Sequence, residues 1–336
     1  MKHYTSVIAG ASPKAGFAAC RTYLFIFIAV IFLALSGCGV KTLYNSLDIL
    51  IPWYVDDLIT LNDAQQAELE FRLVEIIRWH RTTQLAQYAR FMRKTRAHIS
   101  DGLSEQDLDE VFAELENNWR LLMGKIAPEL VDILLTASDA QKQELFENID
   151  KSNEEFKKDY LNLSEAQRRQ DLIKAMQKNF RRWLGSLTDE QKRIIEHYTA
   201  NFIPIHNDRW LFRLQWQNEF RKLLRQDAAK PEVRRNLEKL FMDMQDMYPQ
   251  DYTYKRRVNT KLVKEMILKV NSTATPEQFQ HLLRRIESYA ETFDELSVQI
   301  QNSSERKFRR SLAPGKQSVR LSPRSTRRAR TQVKPA

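Results

Sequence analysis

The chain has 336 residues, 43% of them hydrophobic and 29% charged, so it can form a packed core and is not disordered throughout. It has only 8 glycines, a scarcity that excludes glycine-rich phosphate loops and turn-dense β architectures. The net charge of +10 arises at the two ends, because residues 1–37 hold three basic and no acidic residues, and residues 303–336 hold eleven basic residues and one acidic residue. Residues 38–302 are mildly acidic, so the total charge does not indicate a nucleic-acid-binding domain.

The amino-terminal segment combines Arg21 with an apolar run at 23–35 and the sequence Leu-Ser-Gly-Cys at 35–38. As a helix the apolar run spans about 20 Å, which is shorter than the roughly 30 Å hydrocarbon core of a bilayer. A basic start, a short apolar run and small residues before a cleavage point are typical of an exported signal peptide. The last four residues resemble a bacterial lipobox, which implies cleavage between Gly37 and Cys38 and acylation of Cys38. The alternative is a short membrane anchor with a chance cysteine.

Cysteine usage agrees with a lipoprotein. Cys20 leaves with the predicted signal peptide 1–37, so Cys38 is the single cysteine of the mature chain. A disulfide, a catalytic thiol and a cysteine-ligated zinc are therefore not expected. Gly39 follows the anchor, whereas lipoproteins retained at the inner membrane carry Asp at that position. The absence of Asp after Cys38 therefore predicts an outer-membrane lipoprotein that faces the periplasm. Its several acyl chains would give stable attachment.

A capping pattern recurs six times in residues 38–302, which we predict to be one helical domain. In each copy an Asn, Ser or Thr N-cap precedes a polar residue at N3 by three positions, and N1 is acidic or proline. The predicted N-caps are Asn62, Ser104, Ser138, Ser164, Thr188 and Thr275. Helices are expected over 42–58, 63–100, 104–123, 127–136, 139–160, 164–186, 189–202, 207–228, 231–247, 254–270 and 276–302. Unequal intervals and the lack of period-two alternation predict an all-α fold, an elongated array of unequal antiparallel helical hairpins.

The carboxyl-terminal segment 303–336 differs in composition from the helical domain. It is rich in Arg, Lys and Ser and contains Phe308 as its single aromatic residue, so we expect a disordered basic tail. One interpretation is a solvated tail without a role, and another is contact with anionic lipid headgroups, to which each basic residue contributes about 1 kcal/mol. A nucleic-acid-binding arm is excluded if the protein is exported.

Catalytic and metal-binding patterns are not found in the sequence. No two histidines of the mature chain stand three or four residues apart, and HExxH and G-x-S-x-G are absent, so we expect no enzyme, metal or cofactor. The densest group of large polar and aromatic residues lies at 207–220. If a polar groove exists, its candidate residues are Asp208, Arg209, Trp210 and Trp216. The favoured alternative places each tryptophan at the edge of the core beside a solvated arginine.

Several stretches together resemble one family, namely residues 38–45, 52–57, 61–65, 79–81 and 88–89. They are similar to uncharacterised α-helical lipoproteins of Gram-negative bacteria that are grouped as a family of unknown function. The resemblance implies a location in the cell envelope and transfers no catalytic residues.

A second resemblance is to a short motif. The sequence Leu-Thr-Asp-Glu-Gln at 187–191 resembles the LTxxQ motif of Spy/CpxP-type periplasmic chaperones, although this motif is itself a capping box. We therefore expect a lipid-anchored envelope protein with a structural or scaffolding role and a protein partner. An ATP-independent chaperone is the alternative, and an enzyme is the least favoured class.

Overall fold

The computed structural model describes residues 37–227 and 229–312, with side chains from 39 to 298, and over these ranges the chain is helical without a β-strand. The all-α prediction is therefore confirmed. Residues 1–36 of the predicted signal peptide and residues 313–336 of the predicted tail lie outside the described residues. The α-helices are α1 (Gly37–Tyr44), α2 (Leu47–Asp56), α3 (Asp63–Trp79), α4 (Ala86–Gly102), α5 (Glu105–Leu135), α6 (Asp139–Phe156), α7 (Glu165–Leu184), α8 (Asp189–Ala200), α9 (His206–Leu224), α10 (Pro231–Met242), α11 (Gln250–Asn271) and α12 (Pro276–Leu312). Shorter π-helical turns span His80–Leu85 and Lys157–Leu161, and a 3₁₀ turn spans Met244–Met247.

The six predicted N-caps all form capping boxes in the structure. In each box the side chain of the N-cap accepts the amide of N3, and the side chain of N3 accepts the amide of the N-cap. The boxes satisfy amides that the first turn of a helix leaves unpaired. The N-caps are Asn62, Ser104, Ser138, Ser164, Thr188 and Thr275, as predicted.

Four of these boxes join in pairs, which we call glutamine clasps. In the first clasp the side-chain amides of Gln65 and Gln141 bond to each other, with 2.6 Å from Gln141 Nε2 to Gln65 Oε1. In the second clasp Gln191 and Gln278 exchange two bonds of 2.9 Å. Each glutamine thus closes its own helix start and also fastens the start of a second helix.

Each clasp also bonds to the backbone that precedes the partner helix. Gln191 Nε2 donates to the carbonyl of Thr273 at 3.2 Å, and Gln278 Nε2 donates to the carbonyl of Ser186 at 2.9 Å. The first clasp repeats this arrangement with the carbonyls of Thr136 and Thr60. The result is a locally two-fold arrangement in which both amide protons and the oxygen of each glutamine have partners.

One long helical rod organises the molecule. α3, the π-turn His80–Leu85 and α4 run without a break from Asp63 to Gly102, about 60 Å at 1.5 Å per residue. α5 returns antiparallel to this rod, because Arg72 bonds to Asp132 at 2.8 Å and Lys94 pairs with Glu110 at 2.7 Å. The predicted antiparallel hairpin is therefore present.

α12 packs antiparallel on the same rod. Ile99 shares a core cluster with Leu283 and Ile286, whereas Leu85 shares another with Leu296. The amino terminus of α12, with the second clasp, therefore lies near the end of α4. The first clasp lies at the start of α3, at the opposite end of the rod.

Three apolar clusters of buried residues form the core along the rod. The largest joins α5, α6, α9 and α10, with Phe220, Phe241, Val131 and Ile149 at 1% exposure or less. The second joins α1, the π-turn His80–Leu85, α4 and α12, and the third joins α4, α7, α8, α11 and α12. Stacking the clusters along one rod yields an elongated array of helices, as the unequal helix spacing predicted.

Several helix boundaries differ from the predictions. α5 continues through Pro128, where two helices were expected, because Met123, Ala127, Val131 and Leu134 form one buried stripe that holds the helix together. The predicted helix 42–58 is divided into α1 and α2, and the predicted helix 231–247 ends at Met242 before a 3₁₀ turn.

α12 continues to Leu312, so ten residues of the predicted tail, 303–312, belong to a helix of the structure. The disorder of the tail stays a prediction. Apolar residues continue at helical spacing across position 303, with Leu296 and Ile300 before it and Phe308 and Leu312 after it. The remainder of the predicted tail lies outside the described residues.

Candidate functional site

Helix α1, which contains Cys38, is packed into the body of the protein. Val40 and Tyr44 are 1% and 3% exposed and share a cluster with Leu85 and Leu296. Lys41 Nζ also pairs with the carboxylate of Glu295 on α12 at 2.8 Å. Residue 38 therefore lies two positions before a fully buried side chain, and no flexible linker separates it from the body.

A buried polar group lies where α1 meets the rod. Tyr44 Oη and His80 Nδ1 are hydrogen-bonded at 2.6 Å, and Arg81 lies over the Tyr44 ring, with Cζ 5.0 Å from its centroid. Burial and, to a smaller extent, the charge of Arg81 lower the pKa of His80 to about 4, so His80 is neutral at pH 7. Burial raises the pKa of Tyr88, whose ring meets the edge of His80, to about 12. These groups hold α1 in place and carry no charge of their own apart from Arg81.

The same position is where the rod departs from α-helical geometry. The side chains of Thr82 and Thr83 donate to backbone carbonyls in the preceding turn, with 2.7 Å from Thr83 Oγ1 to the carbonyl of Trp79. Threonine bonds of this kind compete with the helical ladder, and π-turns are frequent at functional sites. The sequence predicted one uninterrupted helix here, whereas the structure has a π-turn that begins at His80, the residue that contacts Tyr44 of α1.

Helix α2 is the least buried apolar helix of the described chain. Each of its residues is exposed or half-buried, although the sequence LDILIPWYVD is mostly apolar. Ile49 is 70% exposed and Trp53 is 61% exposed, and they lie four residues apart on one face of the helix. Tyr54 is 36% exposed beside them. An apolar surface of this kind, rimmed by Asp48 and Asp56, is typical of an interaction site.

The basic end of α12 begins close to α1. Leu296 packs in the same cluster as Val40, and α12 continues for 16 residues beyond it, a length of about 24 Å. The sequence of this extension contains four basic residues, Arg306, Lys307, Arg309 and Arg310. The first of these basic residues, Arg306, is ten residues, or about 15 Å of helix, beyond the contact of Leu296 with α1, although more than 260 residues separate it from Cys38 in sequence.

The residues of the candidate polar groove are divided between different environments. Asp208 accepts from Lys255 Nζ at 2.8 Å, and Trp210 is half-buried and stacks on Phe156 with ring centroids 5.7 Å apart. Arg209 lies 6.0 Å from the centroid of the same Phe156 ring.

Trp216, a candidate residue of the polar groove, lies in the core. It is 5% exposed inside the largest core cluster and donates Nε1–H to the carbonyl of Leu240 at 3.0 Å. It is therefore a core residue and does not line a groove.

Sequence analysis missed a buried arginine in the same helix. Arg213 is 2% exposed; it donates to Asn153 and, at 3.1 Å, to Ser152, and stacks on Phe156 with Cζ 5.2 Å from the ring centroid. Burial and the nearby charge of Arg209 lower the pKa of Arg213 to about 10. The sequence spacing could have predicted this burial. Arg213 lies three residues before Trp216 and seven before Phe220, and residues at these spacings share a helix face. The arginine fastens α9 to α6 through neutral partners.

The motif that resembles the Spy/CpxP chaperones forms the second glutamine clasp. Thr188 and Gln191 close α8 and bond to Gln278, as described above. An open depression of about 460 Å³ lies beside the clasp, lined in part by His281 and Arg284. The glutamines themselves are buried, so the motif is used for closing helix ends in this protein.

Over the described residues, no group of histidine, cysteine, aspartate or glutamate side chains is arranged to hold a metal ion. Within the same ranges, each helix is too short or too polar to cross a bilayer.

Comparison with curated proteins and with solved structures found no match to the chain. Comparison with family models found one described as a family of unknown function, DUF6279, which matches residues 55–253. This confirms the resemblance to an uncharacterised family. Because the match covers more than half of the chain, the protein belongs to the family of unknown function DUF6279.

Proposed function

We propose that this protein is a lipid-anchored envelope protein in which acylated Cys38 holds a helical scaffold directly against the membrane. The observation that supports the proposal is the packing of α1, because Val40 and Tyr44 are buried within a few residues of Cys38. Many anchors need only a flexible tether, whereas a packed α1 would fix how the body is oriented at the bilayer. A fixed orientation is useful to a protein that presents one surface to a partner.

The proposed location is the outer membrane, facing the periplasm, and rests on Gly39 and the lipobox-like sequence 35–38. The proposed role is structural, with binding of another envelope protein and no catalysis. Its support is a helical rod about 60 Å long, with three apolar clusters and ion pairs such as Arg93 with Glu287 between its helices. An elongated body of this kind can connect a membrane-bound end to a distant partner.

The basic segment supplies a second proposed membrane contact. Because α12 passes α1 at Leu296 and continues to Leu312, residues 303–336 begin near the anchor. Positive residues near an anionic surface are each stabilised by about 1 kcal/mol, so the segment would add to the attachment of Cys38.

The test of the anchor is mass spectrometry of the mature amino terminus from membranes. The expected result is a diacylated or triacylated Cys38 with residues 1–37 removed. Cys38→Ser should prevent acylation, and Cys20→Ser is the matched control that should leave it unchanged. An unmodified Cys38 in the wild-type protein would contradict the proposal.

The partner is tested by crosslinking the full-length protein in intact cells. Recovery of one stoichiometric envelope protein supports a scaffold. The chaperone alternative predicts many clients, and it also predicts that the purified mature protein suppresses aggregation of an unfolded test protein. Absence of a defined partner together with suppression of aggregation would replace the scaffold proposal by the chaperone alternative.

A further inference from the structure

The exposed apolar face of α2 is a feature that neither the core nor the proposed anchor explains. Ile49 and Trp53 lie on this face at 70% and 61% exposure, and a soluble surface rarely leaves such side chains together in water. Leu47, Leu50 and Val55 are only half-buried, so the helix lies on the body as an apolar ridge.

The position of α2 relative to the start of the chain indicates what covers it. Cys38 is the second residue of α1, and α1 has 8 residues, which span about 12 Å. Two residues, Asn45 and Ser46, separate the end of α1 from the start of α2. Because α1 is packed against the rod, α2 is held at a short and defined distance from Cys38.

The composition of the face agrees with a lipid surface. Trp and Tyr prefer the interface between headgroups and acyl chains, and α2 contains Trp53 and Tyr54 next to Ile49. Interfacial helices place an apolar face about 5–10 Å into this zone and keep charged residues in water. Asp48 and Asp56 lie near the two ends of α2, where they can remain in the headgroup layer.

We infer that α2 lies in the interfacial zone of the bilayer, with Ile49 and Trp53 inserted between the headgroups next to the acyl chains of Cys38. The inference rests on the proposed lipid anchor. It adds that the body has a second, non-covalent attachment, which fixes its rotation about the anchor. The acyl chains by themselves would hold one point of the protein, whereas α2 would align the body with the membrane plane.

The test uses the purified mature lipoprotein, reconstituted in vesicles of zwitterionic lipid with or without bromine atoms on the acyl chains. Bromine quenches tryptophan only within the bilayer. The expected result is quenching of the wild-type emission and loss of this quenching in Trp53→Phe. Trp210→Phe is the matched control, because Trp210 stacks on Phe156 on the body, and it should leave the quenched emission unchanged.

A second quencher, aqueous acrylamide, identifies any other occupant of the face. Trp53 that is quenched by acrylamide and not by brominated lipid would lie in water, and Trp53 that is quenched by neither would be covered by protein. Both results would overturn the inference while the protein still floats with the vesicles. A wild-type protein that does not float would instead contradict the lipid anchor, and the inference would fall with it.

Discussion

Replacing Gln191 by alanine is expected to destabilise the protein far more than an ordinary change at a helix start. Gln191 is 0% exposed and takes part in four hydrogen bonds of the second glutamine clasp. Its Oε1 accepts from the amide of Thr188 at 3.0 Å and from Gln278 Nε2 at 2.9 Å. Its Nε2 donates to the carbonyl of Thr273 at 3.2 Å and to Gln278 Oε1 at 2.9 Å.

The magnitude follows from the groups that Gln191→Ala leaves behind. A buried polar group without a partner costs about 1–3 kcal/mol, and the substitution leaves the Thr273 carbonyl and the Gln278 amide incompletely bonded. The lost half of the capping box adds up to about 1 kcal/mol. We therefore expect the free energy of unfolding to fall by about 3–5 kcal/mol.

Gln167→Ala provides the matched control. Gln167 occupies the same N3 position in the box of Ser164, but it is exposed and makes only local bonds, with 3.0 Å from the Ser164 amide to Gln167 Oε1. Water can replace these bonds, so the expected loss is at most about 1 kcal/mol. Urea denaturation followed by circular dichroism measures both variants.

A cycle with Gln278→Ala tests the coupling between the two glutamines. Because the double variant removes both unpaired amides together, it should cost less than the sum of the single variants. Equal losses for Gln191→Ala and Gln167→Ala, or strict additivity in the cycle, would refute the clasp as a stabilising unit.

Three further outcomes are expected. The pKa of His80 is about 4 in the folded chain and near its ordinary value of 6.5 in the unfolded chain. The free energy of unfolding is therefore unaffected by this group above pH 6.5 and decreases as the pH falls towards 4. The free energy of unfolding should be about 2 kcal/mol lower at pH 5 than at pH 7.5, and His80→Gln should remove this difference in urea titrations. Val40→Asp should release α1 at a cost of about 3 kcal/mol and make residues 39–46 sensitive to protease, whereas Thr42→Asp on the exposed side should not. The Cys38→Ser protein is expected to bind anionic vesicles less as salt rises from 0.1 M to 1 M, because the Debye length falls from about 10 Å to 3 Å. Deletion of 303–336 should abolish this salt-dependent binding. Unchanged co-sedimentation with the vesicles would refute a role for the tail.

The local chemistry of the chain determined the helices. The six N-caps could be predicted because an Asn, Ser or Thr followed by a polar N3 residue satisfies the unpaired amides within four residues of sequence. The all-α class followed from the same short-range patterns. Sequence also singled out Cys38 as the predicted anchor and predicted a helix at 42–58, where the structure has α1 and α2.

Tertiary packing decided what those helix starts are used for. The capping boxes at Ser164 and at Thr188 share the same hydrogen-bond pattern and a glutamine at N3. Only the second has its glutamine buried against another box, because α8 and α12 begin side by side. The clasps depend on pairs of boxes 76 and 87 residues apart. No local pattern states which pairs will meet.

The same reason explains the other differences between sequence and structure. Pro128 would end an isolated helix, but the buried stripe around Ala127 and Val131 outweighs the lost hydrogen bond. Trp216 and Asp208 lie on one helix in a polar stretch, and only the packing of α9 against α10 and α11 assigns one to the core and the other to Lys255. Hydrogen bonds that form within one helical turn can be predicted from the sequence. Burial depends on residues far away in the chain, so it is decided by the fold.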